Sequence, residues 1–304
     1  MEINKKILMP SKETRQERFG RTLSFISISA IVVLVALILY FIISKGISTF
    51  TDNHVNLWDF ISRQDWSPST IGKDGKPEVG ALPMIVTSFS VTFLSALLAT
   101  PFAIAAGIYM TVIGPKKSRG FLQTVIELLV GIPSVVYGFI GLTIIVPIVR
   151  TLFGGTGFGI LSATLVLFVM VLPTITSLTV DSLNAVPKHL SEASLALGAT
   201  RWQTIYKVIL RSATPGILTA IIFGMARAFG EALAVQMVIG NAILMPKNLI
   251  TPSSTLTSQL TTGIGNTVMG TLGNNALWSL ALVLLLMSLF FNILVKLIGK
   301  RGKF

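Results

Sequence analysis

Residues 23–43 run for 21 positions without a single charge. At about 1.5 Å per residue, a helix of that length crosses a hydrocarbon core of about 30 Å. The run is too long for the apolar region of a secretory signal, and no small-residue cleavage site follows it, so it reads as a retained membrane span. A chain that begins this way must place its remaining polar segments on one side of a membrane or the other.

The rest of the sequence is of the same kind. With 52% hydrophobic and 12% charged residues over 304 positions, it describes an all-α polytopic membrane protein, not a soluble domain. Residues 82–112 form a long second span rich in small residues such as Ser88, Ala96, Ala99 and Gly107, which let helices approach closely in lipid. Pro101 predicts a kink within it. Residues 121–149 read as the third span, with Glu127 in its early turns, where a carboxylate suits a helix N-terminus. The fourth covers 161–180, with Pro173 as a second kink. Pro215 sits at a first-turn position of the fifth, which continues to Asn241. That stretch of 27 residues is about 40 Å long as a helix, more than one upright span requires, and a break or strong tilt is expected near Gly230. Residues 276–298 complete a set of six.

The segments between spans have their own signatures. Residues 45–80 hold five acids, four bases and the aromatics Trp58, Phe60 and Trp66, with turn signals at Ser67-Pro68 and at 72–75. A short amphipathic helix over 56–64 is expected at the outer surface, its tryptophans anchored among headgroups. The GGTGFG loop at 154–159 is a tight turn and no phosphate cradle, since no strand precedes it and no Gly-Lys-Ser/Thr follows. Residues 245–275 are polar with Lys247 their only charge, and form an external loop or a partly re-entrant segment buried by protein.

The net charge of +12 could point to nucleic acid, but its distribution explains it otherwise. If both termini are cytoplasmic, the inner segments hold 17 of the 24 Lys and Arg and the outer ones 6, as the positive-inside rule requires. Absence of cysteine excludes disulfides, thiolate metal sites and cysteine nucleophiles. His54 and His189 fall on opposite sides of the membrane. Hydrolytic motifs and a Walker A are also missing, so the chain carries no energy source of its own.

Two places remain for function. Arg227 and Glu231 are four apart, hence on one face if the helix is continuous, and near the bilayer midplane. An arginine there costs about 2.5–3.5 kcal/mol to insert. The pair either fixes helix packing by mutual neutralisation or offers a guanidinium fork to an oxyanion in a pathway. The second place is 192–210, EASLALGATRWQTIYKVIL, a polar island between apolar runs. Ser191 can cap a first helix, with Glu192 in its first turn. Gly198 is an elbow, and a second helix follows. On pattern alone this is either an ordinary amphipathic loop or a docking device.

Glu192-Ala193-Ser194, Gly198, Val208 and Leu210 resemble the EAA loop by which binding-protein-dependent ABC importer permeases contact their ATPase. That family pattern usually has proline after the position of Leu210, where Arg211 stands here, which leaves the exit of the second helix open. Five ordered blocks narrow the resemblance: GALPM at 80–84, ELLVGIPSVVYGFIGL at 127–142, VLPTI at 171–175, EASLALGATRWQTI at 192–205 and RAFGEALAVQMVIGN at 227–241. Together they look like the PstC-type permease subunit of the phosphate-specific ABC importer.

The resemblance implies a type I importer permease fold with cytoplasmic coupling helices. Residues 80–299 would be the permease domain with the EAA loop at 190–211, preceded by a tail, anchor and external loop at 1–79 and followed by a basic tail at 300–304. It implies a cell-membrane heterodimer with a sister permease, two cytoplasmic ATPase subunits and an external phosphate-binding protein. ATP and Mg would be used by the ATPase, with no cofactor in this chain. Glu192, Ala193, Gly198, Ala199, Thr200, Arg201 and Trp202 would transmit ATPase closure, and Arg227 and Glu231 would lie on the transport pathway. Molybdate or sulfate is the nearer alternative substrate. A stand-alone channel or secondary anion transporter would have no use for the loop.

Overall fold

The computed structural model describes residues 12–72 and 75–301; Lys5, Lys6 and Lys303 of the two basic tails lie outside them. Among the described residues, six helices are long and apolar enough to cross a membrane: Gln16–Thr51, Leu82–Ile113, Ser134–Phe153, Ile160–Asn184, Arg201–Phe229 and Leu272–Ile298. The first lies within α1 (Lys12–Thr51) and the last within α13 (Leu272–Arg301). These two meet near the end of α1. The Ser279 hydroxyl lies 2.7 Å from both the Gly46 carbonyl and the Thr49 hydroxyl, and Phe41 meets Trp278 edge-on at 4.9 Å.

Between α1 and the second span, α2 (Leu57–Ser62) is capped by Asn56, whose side chain accepts from the Trp58 amide at 2.8 Å. A hairpin follows, β1 (Trp66–Ile71) antiparallel to β2 (Pro77–Val79), with Trp66 opposite Val79 and Ser67 opposite Glu78. Ser67-Pro68 is therefore inside a strand and does not turn the chain; a two-stranded sheet is all edge, where proline is tolerated. The aromatics also divide. Trp58 is exposed, whereas Phe60 is fully buried and packs with Trp66 and Phe50 in a core shared with Met84, Leu256 and Leu280. Of the two tryptophans expected among headgroups, Trp58 is thus free to reach them and Trp66 packs against the protein.

Asp59 on α2 anchors the hairpin through Lys76 at 2.9 Å and also pairs with Arg63 at 3.6 Å. The Lys76 hydrogen bond holds the Asp59 carboxyl below the usual carboxylate range. A pKa lowered on folding means that the contact supports the hairpin fully above that range and is lost as pH falls through the lowered value. Amide exchange in 66–79 is expected to accelerate selectively in acid below about pH 4, and Lys76→Ala should remove that pH dependence.

The second span is α3 (Leu82–Ile108), extended by a π-helical turn at Tyr109–Ile113. The expected third span is two pieces. An amphipathic helix α4 (Lys116–Gly131) stops at Ile132, and the span proper is α5 (Ser134–Ile140), a π-helical turn at Gly141–Ile145 and α6 (Val146–Phe153). The reason is Pro133, which lacks an amide and disfavours helical geometry in the residue before it. Glu127 accordingly lies late in α4 and exposed, accepting from Gln123 at 2.7 Å, and not in the early turns of a span. The glycine-rich loop is a turn, with positive φ at Gly154, Gly155, Gly157 and Gly159.

The fourth span, α7 (Ile160–Asn184), is the most buried of the six. It packs between α3 and α10 (Leu210–Phe229). A Cβ placed on Gly224 of α10 would sit 2.6 Å from the Ile175 side chain on α7, so that side chain lies directly against the α10 backbone there. Gly224→Val is expected to cost about 1–3 kcal/mol by overpacking, read as a lowered detergent unfolding midpoint.

Pro215 lies inside α10 and not at a first turn, because the helix starts much earlier: α9 (Arg201–Thr204) and a π-helical turn at Ile205–Ile209 run directly into it. Its missing amide frees the carbonyl of Arg211, an exposed residue, so the helix continues without a buried orphan there. After Phe229 the helix breaks as expected at Gly230 and resumes as α11 (Leu233–Ile239). The polar stretch then folds back into the protein. Ser253 to Ser258 are all buried, and α12 (Leu256–Gly263) packs against α13, α3 and α11, so the segment is partly re-entrant.

Candidate functional site

The break at Gly230 decides what Arg227 and Glu231 can do. They sit on opposite sides of it, so the four-residue spacing does not put them on one helical face. No ion pair joins them within 4 Å. Instead, Arg227 Nη1 donates to the Thr174 hydroxyl of α7. The Glu231 carboxylate accepts from the Ala234 amide at 3.3 Å, which caps the start of α11, and the Glu231 carbonyl accepts from the Thr257 hydroxyl of α12 at 2.8 Å. Of the two alternatives for this pair, mutual neutralisation is therefore not what the structure holds. Arg227 has a neutral partner, and Glu231 is occupied with its own backbone and α12.

Depth follows from Thr174. It is the fifteenth residue of the 25 in α7, close to the middle of a membrane-crossing helix, and it carries Arg227 to the same level. Hydroxyls crowd around the break. Ser88 accepts from the Leu256 amide at 2.9 Å, and Ser88, Thr92, Thr255 and Thr257 line a cavity of about 10 Å³ beside Glu231. Such a space holds at most about one water. Thr174, Thr257 and Ser88 escaped the sequence reading as site residues. The available signals were Thr174 beside the mid-span Pro173 and the hydroxyl-rich run Ser253-Ser254-Thr255.

The second candidate is the elbow. Here α8 (Lys188–Ala196) begins after Pro187, so Ser191 is no cap; its hydroxyl donates to the Lys188 carbonyl at 2.8 Å, and Glu192 lies beyond the first turn. Proline at that position already starts a helix by its fixed φ. The elbow itself is as expected. Gly198 has φ of +84°, its amide donates to the Leu195 carbonyl at 3.0 Å, and the Ala199 amide donates to that of Ser194 at 3.2 Å. This is a Schellman ending, which needs a left-handed residue. Thr200 then caps α9 reciprocally with Gln203, at 3.2 and 2.9 Å. Ser194 and Thr204 hydroxyls meet across the elbow at 3.0 Å.

The elbow is presented outward. No residue of α8 is buried, Leu197 is 89% exposed and Trp202 64%. Glu192, Ala193, Gly198, Thr200, Arg201 and Trp202 are all exposed and Ala199 half-buried, so the seven residues expected to act in coupling share one surface feature, some 25 residues or more from Arg227 in sequence.

Six apolar helices, a mid-membrane arginine on a hydroxyl-lined seam and an exposed helix–glycine–helix elbow that leads from the fourth span into the fifth define a polytopic membrane permease. Residues 99–303 match the family described as "Binding-protein-dependent transport system inner membrane component". The chain is 47% identical over 299 residues, 97% of its length and 96% of the relative's, to the "Probable ABC transporter permease protein YqgH" of Bacillus subtilis (strain 168). It is 32% identical over 290 residues, covering 89% and 87%, to the "Phosphate transport system permease protein PstC" of Pasteurella multocida (strain Pm70). A solved bacterial ABC transporter involved in import of the acidic polysaccharide alginate shares the fold, with a TM-score of 0.61 at 14% identity over 94% of this chain and 99% of that one. The chain belongs to the binding-protein-dependent ABC importer permeases, as a PstC-type member and a multi-pass inner membrane protein.

Proposed function

We propose that this permease moves inorganic phosphate into the cytoplasm, receiving it from an external binding protein. The observation that carries this reading is Arg227: a permanent cation at mid-membrane whose hydrogen-bond partner is a neutral hydroxyl, so its charge is left for an anion. An oxyanion matches the guanidinium fork. Phosphate among oxyanions is supported by likeness to relatives named as phosphate permeases.

The chain acts as a translocation subunit over 80–299, paired with a sister permease, and hydrolysis belongs to two cytoplasmic ATPase subunits seated on the two elbows. ATP and Mg serve those partners, and no cofactor resides here. Both termini lie in the cytoplasm, which the excess of basic residues in the inner segments supports. Glu192, Ala193, Gly198 and Ala199 to Trp202 carry the coupling, while Arg227 binds the passing anion and Glu231 shapes the break beside it.

Labelled phosphate uptake into proteoliposomes holding this chain, its sister permease and the ATPase, with binding protein outside and ATP inside, tests the reading. Uptake should require every component and resist sulfate and molybdate. Molybdate or sulfate as the true cargo is the second reading, and the 47%-identical relative has no substrate in its name to decide between them and phosphate. Uptake by this chain alone without ATP would overturn both in favour of a secondary transporter.

A further inference from the structure

Below Arg227, α7 and α10 share a face that leads into a large cavity. On α7, Leu178, Asp181, Ser182 and Ala185 follow Thr174 by four, seven, eight and eleven residues, a single helical stripe. On α10, Ala220, Gly216 and Ala213 precede Arg227 by seven, eleven and fourteen, the matching stripe. Both stripes line one cavity of about 960 Å³, which extends to Pro187 and His189 at the start of α8. On the Glu231 side of the arginine the space is about 10 Å³. The cavity ends at Leu178 and Ala220, four residues from Thr174 and seven from Arg227, so the cation is shut toward α11 and α12 and lies one to two helical turns from open space on the elbow side.

We infer that this cavity is the release vestibule for the oxyanion and that Asp181 is its exit residue, a carboxylate that opposes return of the anion from the elbow side. The inference rests on Arg227 being the anion site. Asp181 lies about 10 Å along α7 from Thr174, comparable to the Debye length at physiological salt. An anion held at the arginine is neutralised there, while one at the mouth meets the carboxylate first. The Ser182 and Thr219 hydroxyls donate to the Leu178 and Pro215 carbonyls at 2.7 and 2.9 Å and so give the wall polar surface without a grip on an oxyanion, which leaves the Ser212 hydroxyl as an uncharged donor that can hold one briefly and let it go.

Because the chain has no cysteine, single-cysteine variants report cleanly. Ser182→Cys and Thr219→Cys line the cavity, and Leu218→Cys, exposed and outside its lining, is the control. Each is assembled with its partner subunits in inside-out vesicles and treated with a membrane-impermeant anionic thiosulfonate or a lipid-soluble maleimide. The first two are expected to react with the anionic reagent and the control only with the maleimide. Reaction of Ser182→Cys and Thr219→Cys with the maleimide alone, or with neither reagent, overturns the vestibule, since lipid or the sister subunit then fills it. In proteoliposomes loaded with phosphate, Asp181→Asn should lower the internal phosphate that half-inhibits uptake several-fold, and Asp181→Glu should restore it. Unchanged sensitivity in Asp181→Asn overturns the exit role. Labelling reads access and not transport, so it can fail while phosphate uptake succeeds, and the reverse.

Discussion

Arg227→Lys is expected to lower ATP-driven phosphate uptake by about tenfold or more while insertion and recovery of the complex stay normal. The guanidinium gives Nη1 to the Thr174 hydroxyl and keeps its other donors for the seam. Lysine retains the charge but concentrates it at one nitrogen, so it cannot hold Thr174 and grip an oxyanion with a planar fork together. Hydrogen bonds to charged groups contribute about 1.5–3 kcal/mol each, and loss of one therefore weakens the anion by about ten- to a hundredfold. Glu231→Gln should do less. Its carboxylate is not neutralising Arg227, and a glutamine oxygen can still accept from the Ala234 amide. The measurement is uptake by both variants normalised to assembled complex. Full uptake in both would sink the pathway role and leave the two residues to packing; equal, severe loss in both would mean that they act as an ion pair despite the break between them.

How much of this was legible in the sequence depends on which physical cue each feature leaves. Apolar length located the spans because lipid imposes it, and the interruption at Gly230 followed from a helix too long for one crossing. Gly198 was readable because only a left-handed position demands glycine in an otherwise helical run. The third span was misjoined because Leu128, Leu129 and Val130 carry apolarity right up to Gly131, so Pro133 was the sole marker of the division between α4 and α5. Pro215 misled in the opposite direction, since a proline in a helix ends nothing when the carbonyl it frees belongs to an exposed residue. The partner of Arg227 left no local trace at all. Thr174 lies 53 residues away, and a neutral hydroxyl does not announce itself as the counterpart of a buried cation. The alternative that paired Arg227 with the nearest acid fails through one change of helix axis at Gly230.

Trp202→Ala combined with Leu197→Ala is expected to weaken ATPase attachment by about thirtyfold or more. Both apolar side chains stand out from a polar elbow with no cover of their own, and a Trp anchor at an interface is typically worth about 2 kcal/mol or more when truncated. Retention of the ATPase by affinity-tagged complex, measured beside membrane levels of the permease, reads the effect; wild-type retention would show that the elbow is not the dock. Gly198 separates shape from contact. Its surroundings are open, with no atom within 4 Å of a built Cβ, so Gly198→Ala adds no clash and acts only through its left-handed backbone, by about 1–2 kcal/mol. Asparagine tolerates that conformation better than alanine despite its larger side chain. If the elbow couples through its geometry, ATP-driven uptake must therefore rank Gly198→Asn above Gly198→Ala. A ranking by size instead would mean that the ATPase occupies the space around Gly198 and that steric fit, not the angle between α8 and α9, is what the glycine supplies.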